Sequence, residues 1–527
     1  GERLVLDQYV PKPGTYRLVI LEEEGIRVKK TLEIGYDNKA KTIQGESDSD
    51  YGLFRELDYW SKLLEMNKPV DSKKIIHSNQ YLCIWIKKES LKEGKLTKEI
   101  LDGYFGTLRA LRDKYQKPKT RALYEQTVEM LGEVDGALLS RIRQEIARTE
   151  IWEDIDLDKK NYLKIYFAFP DEEKTKNLYR QEGLRYLLPN IYNNNDYNLA
   201  TEAGILGVPN QNMGLNSKKP YLLHHGRKVG APYLLGRQEV LLQAKLFDYL
   251  AGLAAKDKVN VYFRPEKGTI EAFHDMDKAD VEHSSNAYYV RLGKGKELEI
   301  LQFDMVSTWQ TNPQPFILQN HMGVQIDEEK GKGGDYGKSI TQMWEMKYLL
   351  DGSFFEGKMF RSFFLEAKEV PISDPKVRHI FVENREWLHA WFYKGRQDRV
   401  AKLFDRMSLQ LIVNSIQNNE WGRAKRQFNI RWSLLDYFHE DRRYEERMEN
   451  VREQLRKHLD EKEDWEFSSH REFCYALGQA ASYLISKSKA RRIPEAWINP
   501  FLDAKNVKIA QQRLKVVYQK YNHDCDL

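Results

Sequence analysis

Apolar positions recur along this chain with two different periods. Residues 16–21 and 26–34 alternate apolar and polar around Glu22-Glu23-Glu24-Gly25, the pattern of a β-hairpin. Residues 162–169 (YLKIYFAF), aromatic, β-branched and stopped by Pro170, give the strongest strand signal in the sequence. Residues 51–66 change to a helical period, with Leu53, Leu57, Trp60, Leu63 and Leu64 on one face, and residues 81–86 read as a buried strand. Residues 97–149 read as helical, broken at Lys117-Pro118 and softened at Gly132 and Gly136. After residue 236 the pattern predicts a helix over 237–255, a strand over 259–263, and a hairpin of 287–292 with 298–303, turned by Gly293-Lys294-Gly295-Lys296. From residue 344 the helical period dominates, with helices expected at 344–350, 354–367, 384–415, 421–461, 470–486 and 504–521.

The expected fold class is therefore α+β: a mixed α/β region with small sheets and hairpins, followed by an all-α helical bundle. The pattern suggests three parts, 1–235, 236–370 and 371–527. Apolar stripes at Trp387, Leu388, Trp391, Phe392, Val400, Leu403 and Phe404 predict that the last part owns a core. On that expectation it could fold without the N-terminal sheets, with Met359 and Met407 as candidate internal starts, of which Met359 is favoured because it keeps the Trp387 helix whole.

Between these patterned regions lies residues 207–233, GVPNQNMGLNSKKPYLLHHGRKVGAPY, which cannot be helix. Pro209, Pro220 and Pro232 interrupt any ladder, and Gly207, Gly214, Gly226 and Gly230 permit close backbone approach. The polar stretch NIYNNNDYN at 190–198 leads into it, so residues 189–233 are expected to form one long loop surface. Asn210, Gln211, Asn212 and Asn216 offer amides to base edges. Lys218, Lys219, Arg227 and Lys228 offer charge to phosphate, and His224, His225 and Tyr233 offer rings to unpaired bases.

Net charge changes this picture little, because +5 on 527 residues is modest and any nucleic-acid surface must come from local clustering. Clustering is present. Residues 484–520 hold nine cations, among them Lys487, Lys489, Arg491, Arg492, Lys505 and Lys508, against Glu495 and Asp503. A second group is Arg423, Lys425, Arg426 and Arg431, and Lys294 and Lys296 project from a hairpin turn. Such groups can track a phosphate backbone.

Residue chemistry for bond making is sparse. Cys83, Cys474 and Cys525 are too scattered for a CxxC zinc site. The segment GKGGDYGKS at 331–339 has Lys332 where a phosphate-binding loop needs its first glycine, and His274-Asp275 lacks further ligands at metal-binding spacing. The expectation is a binder with no catalytic residues, cofactor or metal. A nucleic-acid-processing enzyme with an unrecognised metal-dependent site is the alternative, and a helical scaffold without nucleic acid a third class. The chain lacks a run of about 20 apolar residues and begins without a signal-peptide core, so a cytoplasmic location away from membranes is expected.

Two blocks carry a resemblance. One is MGLNSKKPY at 213–221, followed by Ala231-Pro232-Tyr233-Leu234-Leu235 and a helix with Leu241, Leu242, Leu246 and Phe247. The other is Glu472-Phe473-Cys474-Tyr475-Ala476-Leu477-Gly478-Gln479, then Tyr483-Leu484, Asn499-Pro500-Phe501-Leu502 and Lys520-Tyr521-Asn522-His523. Together they resemble the large subunit of type I-B CRISPR interference (Cascade) complexes over residues 207–523, although the paired CxxC motifs of some members are missing. The resemblance implies a subunit that tests the protospacer-adjacent motif in double-stranded DNA, aids R-loop formation and recruits a helicase-nuclease. Implied partners are crRNA, the target duplex and its displaced single strand. The repeating backbone subunit, the 5′-handle subunit and the small subunits complete the set, and the C-terminal helices resemble the small subunits.

Overall fold

The computed structural model describes residues 1–37, 42–202, 204–210, 233–277, 286–294, 298–307, 315–325, 335–438, 444–461, 465–488 and 495–522. Helix accounts for 51% and strand for 18%, and the helices from residue 375 to 521 make the C-terminal region helical, so the fold is α+β. The chain forms two compact units: Gly1–Val259 with Leu292–Ile300, and Asn260–Arg291 with Leu301–Leu527. The sequence pattern alone places the breaks after 235 and 370.

The first unit is organised on a five-stranded sheet. Its strands are β1 (Gly14–Leu21), β2 (Ile26–Asp37), β3 (Thr42–Gln44), β4 (Cys83–Lys87) and β5 (Tyr162–Ala168), in the order β3-β2-β1-β5-β4. The expected hairpin forms, with Leu21 opposite Ile26 and Gly25 at φ +86° in the turn. β1 then runs parallel to β5, and this central position explains why all eight of its residues are buried.

Lys164 breaks the apolar run of β5 yet is fully buried, and Asp58 of the Tyr51–Ser61 helix is buried with it. Lys164 Nζ donates to Asp58 Oδ1 and to the Tyr16 hydroxyl (2.8 Å). Tyr9 and Tyr166 donate to the Asp58 oxygens at 2.6 and 2.7 Å. The ammonium also sits 3.9 Å from the centre of the Trp85 ring. Burial pushes the Lys164 pKa down, while Asp58 opposes the shift.

The Glu172–Leu187 helix covers the Tyr51–Ser61 helix at Gly183, where a Cβ would come within 2.6 Å of the Trp60 carbonyl. Its N-cap is Asp171, which accepts from Lys174 N. This helix has no aliphatic stripe. Its buried positions are Thr175, Tyr179, Glu182, Gly183, Arg185 and Tyr186, held by polar contacts such as Arg185 to Glu182.

β8 (Asn260–Arg264), β9 (Thr269–Phe273), β10 (Ala287–Lys294) and β11 (Leu298–Val306) form a sheet in the order β11-β10-β8-β9, which belongs to the second unit except for residues 292–294 and 298–300. Two short hairpins complete the strands: β6 (Leu199–Thr201) with β7 (Gly204–Leu206) in the first unit, and β12 (Phe316–Ile317) with β13 (Ser339–Ile340) in the second. The expected helix over 354–367 does not form. Helix Met343–Phe354 instead ends in turns, with Glu356 and Gly357 at positive φ and Asp351 accepting from Met359 N at 2.8 Å. The expected helix over 384–415 is two helices, Pro375–Lys394 and Val400–Gln417, parted at Gly395 in the left-handed region.

One core joins this unit's sheet to its helices, running from Tyr262, Tyr289 and Phe316 through Met346 and Phe354 to Trp391, Phe404 and Leu434. The Trp387–Phe404 stripe thus packs in a core that begins at Tyr262, and the expectation that residues after 370 own their core is corrected. A fragment begun at Met359, itself fully buried, would leave 13 of that core's 31 described buried residues behind.

Candidate nucleic-acid interface

The foot of the expected binding loop is built from close backbone contacts. Gly207 N donates to Leu235 O at 3.0 Å and Leu235 N returns a bond to Gly207 O at 2.9 Å, so the two ends of the loop meet. Gly207 is required there, because a Cβ would lie 2.4 Å from both Tyr192 Cδ1 and Asn198 Oδ1. Asn193 N bonds Val208 O and Asn210 N bonds Ile191 O, tying the entering strand to a fully buried Tyr192. Lys68 Nζ donates to the carbonyls of Asn190 (2.9 Å) and Tyr192 (2.5 Å) from below, and burial pushes its pKa down to about 8. A cavity of about 810 Å³, lined by Leu123, Met130, Tyr192, Arg237 and Glu239 among others, opens beside this foot.

The segment leading into the loop is less available than the sequence suggests. Asn190 is 8% exposed and its amide donates to the Tyr115 hydroxyl and the Tyr186 carbonyl. Asn198 is buried, and Asn195 donates to Thr120 Oγ1. These asparagines hold the fold together, while Asp196 and residues 199–202 of the same segment are exposed. Asn210 is half-buried, with its Oδ1 lacking a donor among the described residues. Gln211, Asn212, Asn216, Lys218, Lys219, Arg227 and Lys228 lie outside the described residues.

The basic groups divide in the same way. Arg423 donates to Phe354 O at 3.0 Å and pairs with Glu420, and Arg426 donates to Ser353 Oγ at 2.9 Å and pairs with Asp335 at 2.6 Å. Both close off the end of the Met343–Phe354 helix, where the last carbonyls lack helical partners. Lys425, between them, is exposed. Lys487 lies 4.9 Å from the Tyr483 ring centre. Lys505 and Lys508 are exposed, and Lys515 shares the Lys508 face of the Val507–Tyr521 helix, seven residues on. Lys489, Arg491, Arg492 and Lys296 lie outside the described residues, as does the side chain of Lys294.

Asp275 of the His274-Asp275 pair sits in a polar network. Asp275 takes both arms of the Arg291 guanidinium and a bond from Asn260 Nδ2 at 3.0 Å. Tyr289 joins the same network, 2.8 Å from Asn260 Oδ1 and 3.0 Å from His389 Nε2. Burial, with Arg291 nearby, pushes the His389 pKa well down, so its imidazole is neutral. Among the described residues no group of three His, Cys, Asp or Glu side chains is placed to hold a metal, and no helix is long and apolar enough to cross a membrane. No family model, curated protein or solved structure matches this chain.

Proposed function

We propose that the chain is a non-catalytic, nucleic-acid-binding large subunit of a type I-B CRISPR surveillance complex. The two sequence blocks at 213–235 and 472–523 supply the resemblance. The observation that carries the reading is the clamp at Gly207 and Leu235: a segment with four amides and four cations leaves and rejoins a packed core at one point. A loop anchored so gives its amides a fixed origin from which to meet base edges, at little cost in core stability.

In this reading the amides test the protospacer-adjacent motif in duplex DNA. The exposed cations around Lys505, Lys508 and Lys515 hold the backbone of the displaced strand or the heteroduplex. The guide reads sequence, while the protein reads a few base edges and shape. The chain works beside crRNA and a repeating backbone subunit, and a separate helicase-nuclease cuts.

The test uses the assembled complex and two sets of substitutions. Asn212→Ala with Asn216→Ala should change motif preference by about 1–3 kcal/mol between bases. Lys505→Gln, Lys508→Gln and Lys515→Gln together should reduce the slope of log affinity against log salt by roughly 0.7–0.9 for each phosphate ion pair removed, with motif preference unchanged. Unaltered preference in the first set and an unaltered slope in the second would refute the reading.

A further inference from the structure

Beside the buried Asp58–Lys164 pair the first unit contains a cavity of about 230 Å³, lined by Tyr9, Lys12, Lys62, His77, Trp85 and Tyr162 among others. Sites for drug-sized ligands run to about 300–1,000 Å³, so this one has room for a single base-sized body. Four of those residues are aromatic. The two inner ammonium groups are already neutralised, Lys164 by Asp58 and Lys62 by Asp248 at 3.0 Å, so the interior is not an anion trap. Lys12 is different: it is exposed and takes no carboxylate among the described residues. Among the described residues Glu65 is the one carboxylate in the lining.

The polar atoms of the wall form a complementary pair. His77 Nε2 lies 3.0 Å from the Lys74 carbonyl, which can only accept, so the ring proton is on Nε2. Nδ1, 3.0 Å from the Tyr162 hydroxyl, must then accept, and Tyr162 donates its one proton there. Burial pushes the His77 pKa down, in keeping with this neutral tautomer. The Tyr162 oxygen is left with lone pairs to offer. Trp85 is 5% exposed, and its indole N–H has no acceptor among the described residues. An unmade bond of this kind costs about 1–3 kcal/mol. The Tyr162 acceptor, with the buried and unpartnered Trp85 donor on a residue of the same lining, suits the edge of a nucleobase, which presents a donor beside an acceptor.

We propose that this cavity binds one unpaired nucleotide: the base enters among the aromatic side chains, the Trp85 indole turns to donate to a ring nitrogen or carbonyl, and the exocyclic donor meets Tyr162 Oη. The phosphate stays at the rim with Lys12. The site's lining among the described residues draws on none of 207–233, and the proposal rests on the nucleic-acid reading above and adds a place where a base is taken out of its stack.

The test uses the full chain carrying 5-fluorotryptophan, with the Trp85 resonance assigned by its loss in Trp85→Phe. Adenosine, cytidine, guanosine and uridine monophosphates and their nucleosides are titrated in turn. At least one monophosphate should shift the Trp85 resonance saturably. Tyr162→Phe should weaken that nucleotide about tenfold, the worth of one hydrogen bond. Lys12→Gln should weaken the monophosphate and leave the nucleoside unchanged. If no nucleotide moves the Trp85 resonance while the chain still binds single-stranded DNA with salt dependence, the cavity proposal falls and the function stands. If DNA binding is also lost, both fall. An equal shift from inorganic phosphate alone overturns the base-binding role.

Discussion

Replacing Asp58 by asparagine removes the charge that faces the Lys164 ammonium in the middle of the first unit's sheet. Both side chains are fully buried, and the carboxylate gathers three donors: Lys164, Tyr9 and Tyr166. Removing one partner of a buried pair costs about 3–5 kcal/mol, because the other is left charged and desolvated. The Tyr16 hydroxyl and the Trp85 ring remain beside Lys164, and these weaker contacts offset a part only. Asp58→Asn should therefore cost about 3–4 kcal/mol. Lys164→Met should cost less, since Asp58 keeps two tyrosine hydroxyls. The double substitution should cost about 2–3 kcal/mol less than the sum of the two, the signature of residues in direct contact. Amide hydrogen exchange of β1 and β5 in the full chain reads the first unit alone, whatever the second unit does. A single Asp58→Asn loss below about 1 kcal/mol, or strict additivity in the double, would refute the reasoning.

Three further substitutions probe the loop foot, a titrating turn and the basic group. Gly207→Ala should destabilise the loop foot by about 1–3 kcal/mol through overlap with Tyr192 and Asn198, seen as faster exchange at Asn193 and Asn210. Burial pushes the Asp351 pKa up to about 6 against an ordinary 3.8, so between those values the folded carboxyl holds a proton that the unfolded one has lost. Stability of the second unit should fall as pH rises through that window, by up to about 3 kcal/mol, and Asp351→Asn, which keeps the acceptor for Met359 N, should abolish the fall. Arg426→Met should lower second-unit stability by about 1–3 kcal/mol in urea unfolding and leave the salt slope of DNA binding unchanged, because the guanidinium is spent on Ser353 and Asp335.

Elements with one dominant pattern were legible. β5 falls where its near-continuous apolar run predicts it, because six of its seven residues are buried, and the helices Arg237–Ala255 and His470–Ser486 fall where apolar spacing predicts them. Glu172–Leu187 was invisible for the opposite reason: it buries Thr175, Glu182 and Arg185 in paired contacts, which a hydrophobic period cannot register. Residues 354–367 misled because Phe355, Met359, Phe360 and Phe363 are all buried, yet by successive turns around Asp351 and not by a helix. The need for Gly207 follows from contacts with residues 192 and 198, which no local pattern contains. Arg423 and Arg426 have the sequence signature of phosphate ligands, but the fold brings carbonyls and carboxylates to them. The cavity by Trp85 draws on residues 9 to 164 and so forms no motif.

Recovery of the chain with its native partners tests the central claim most directly. Affinity purification from its own cells, followed by sequencing of bound RNA and mass analysis of bound protein, should yield a short guide RNA of uniform length together with a repeating backbone subunit. Recovery of the chain free of RNA and of any such subunit, under salt conditions that preserve ribonucleoprotein assemblies, would contradict it.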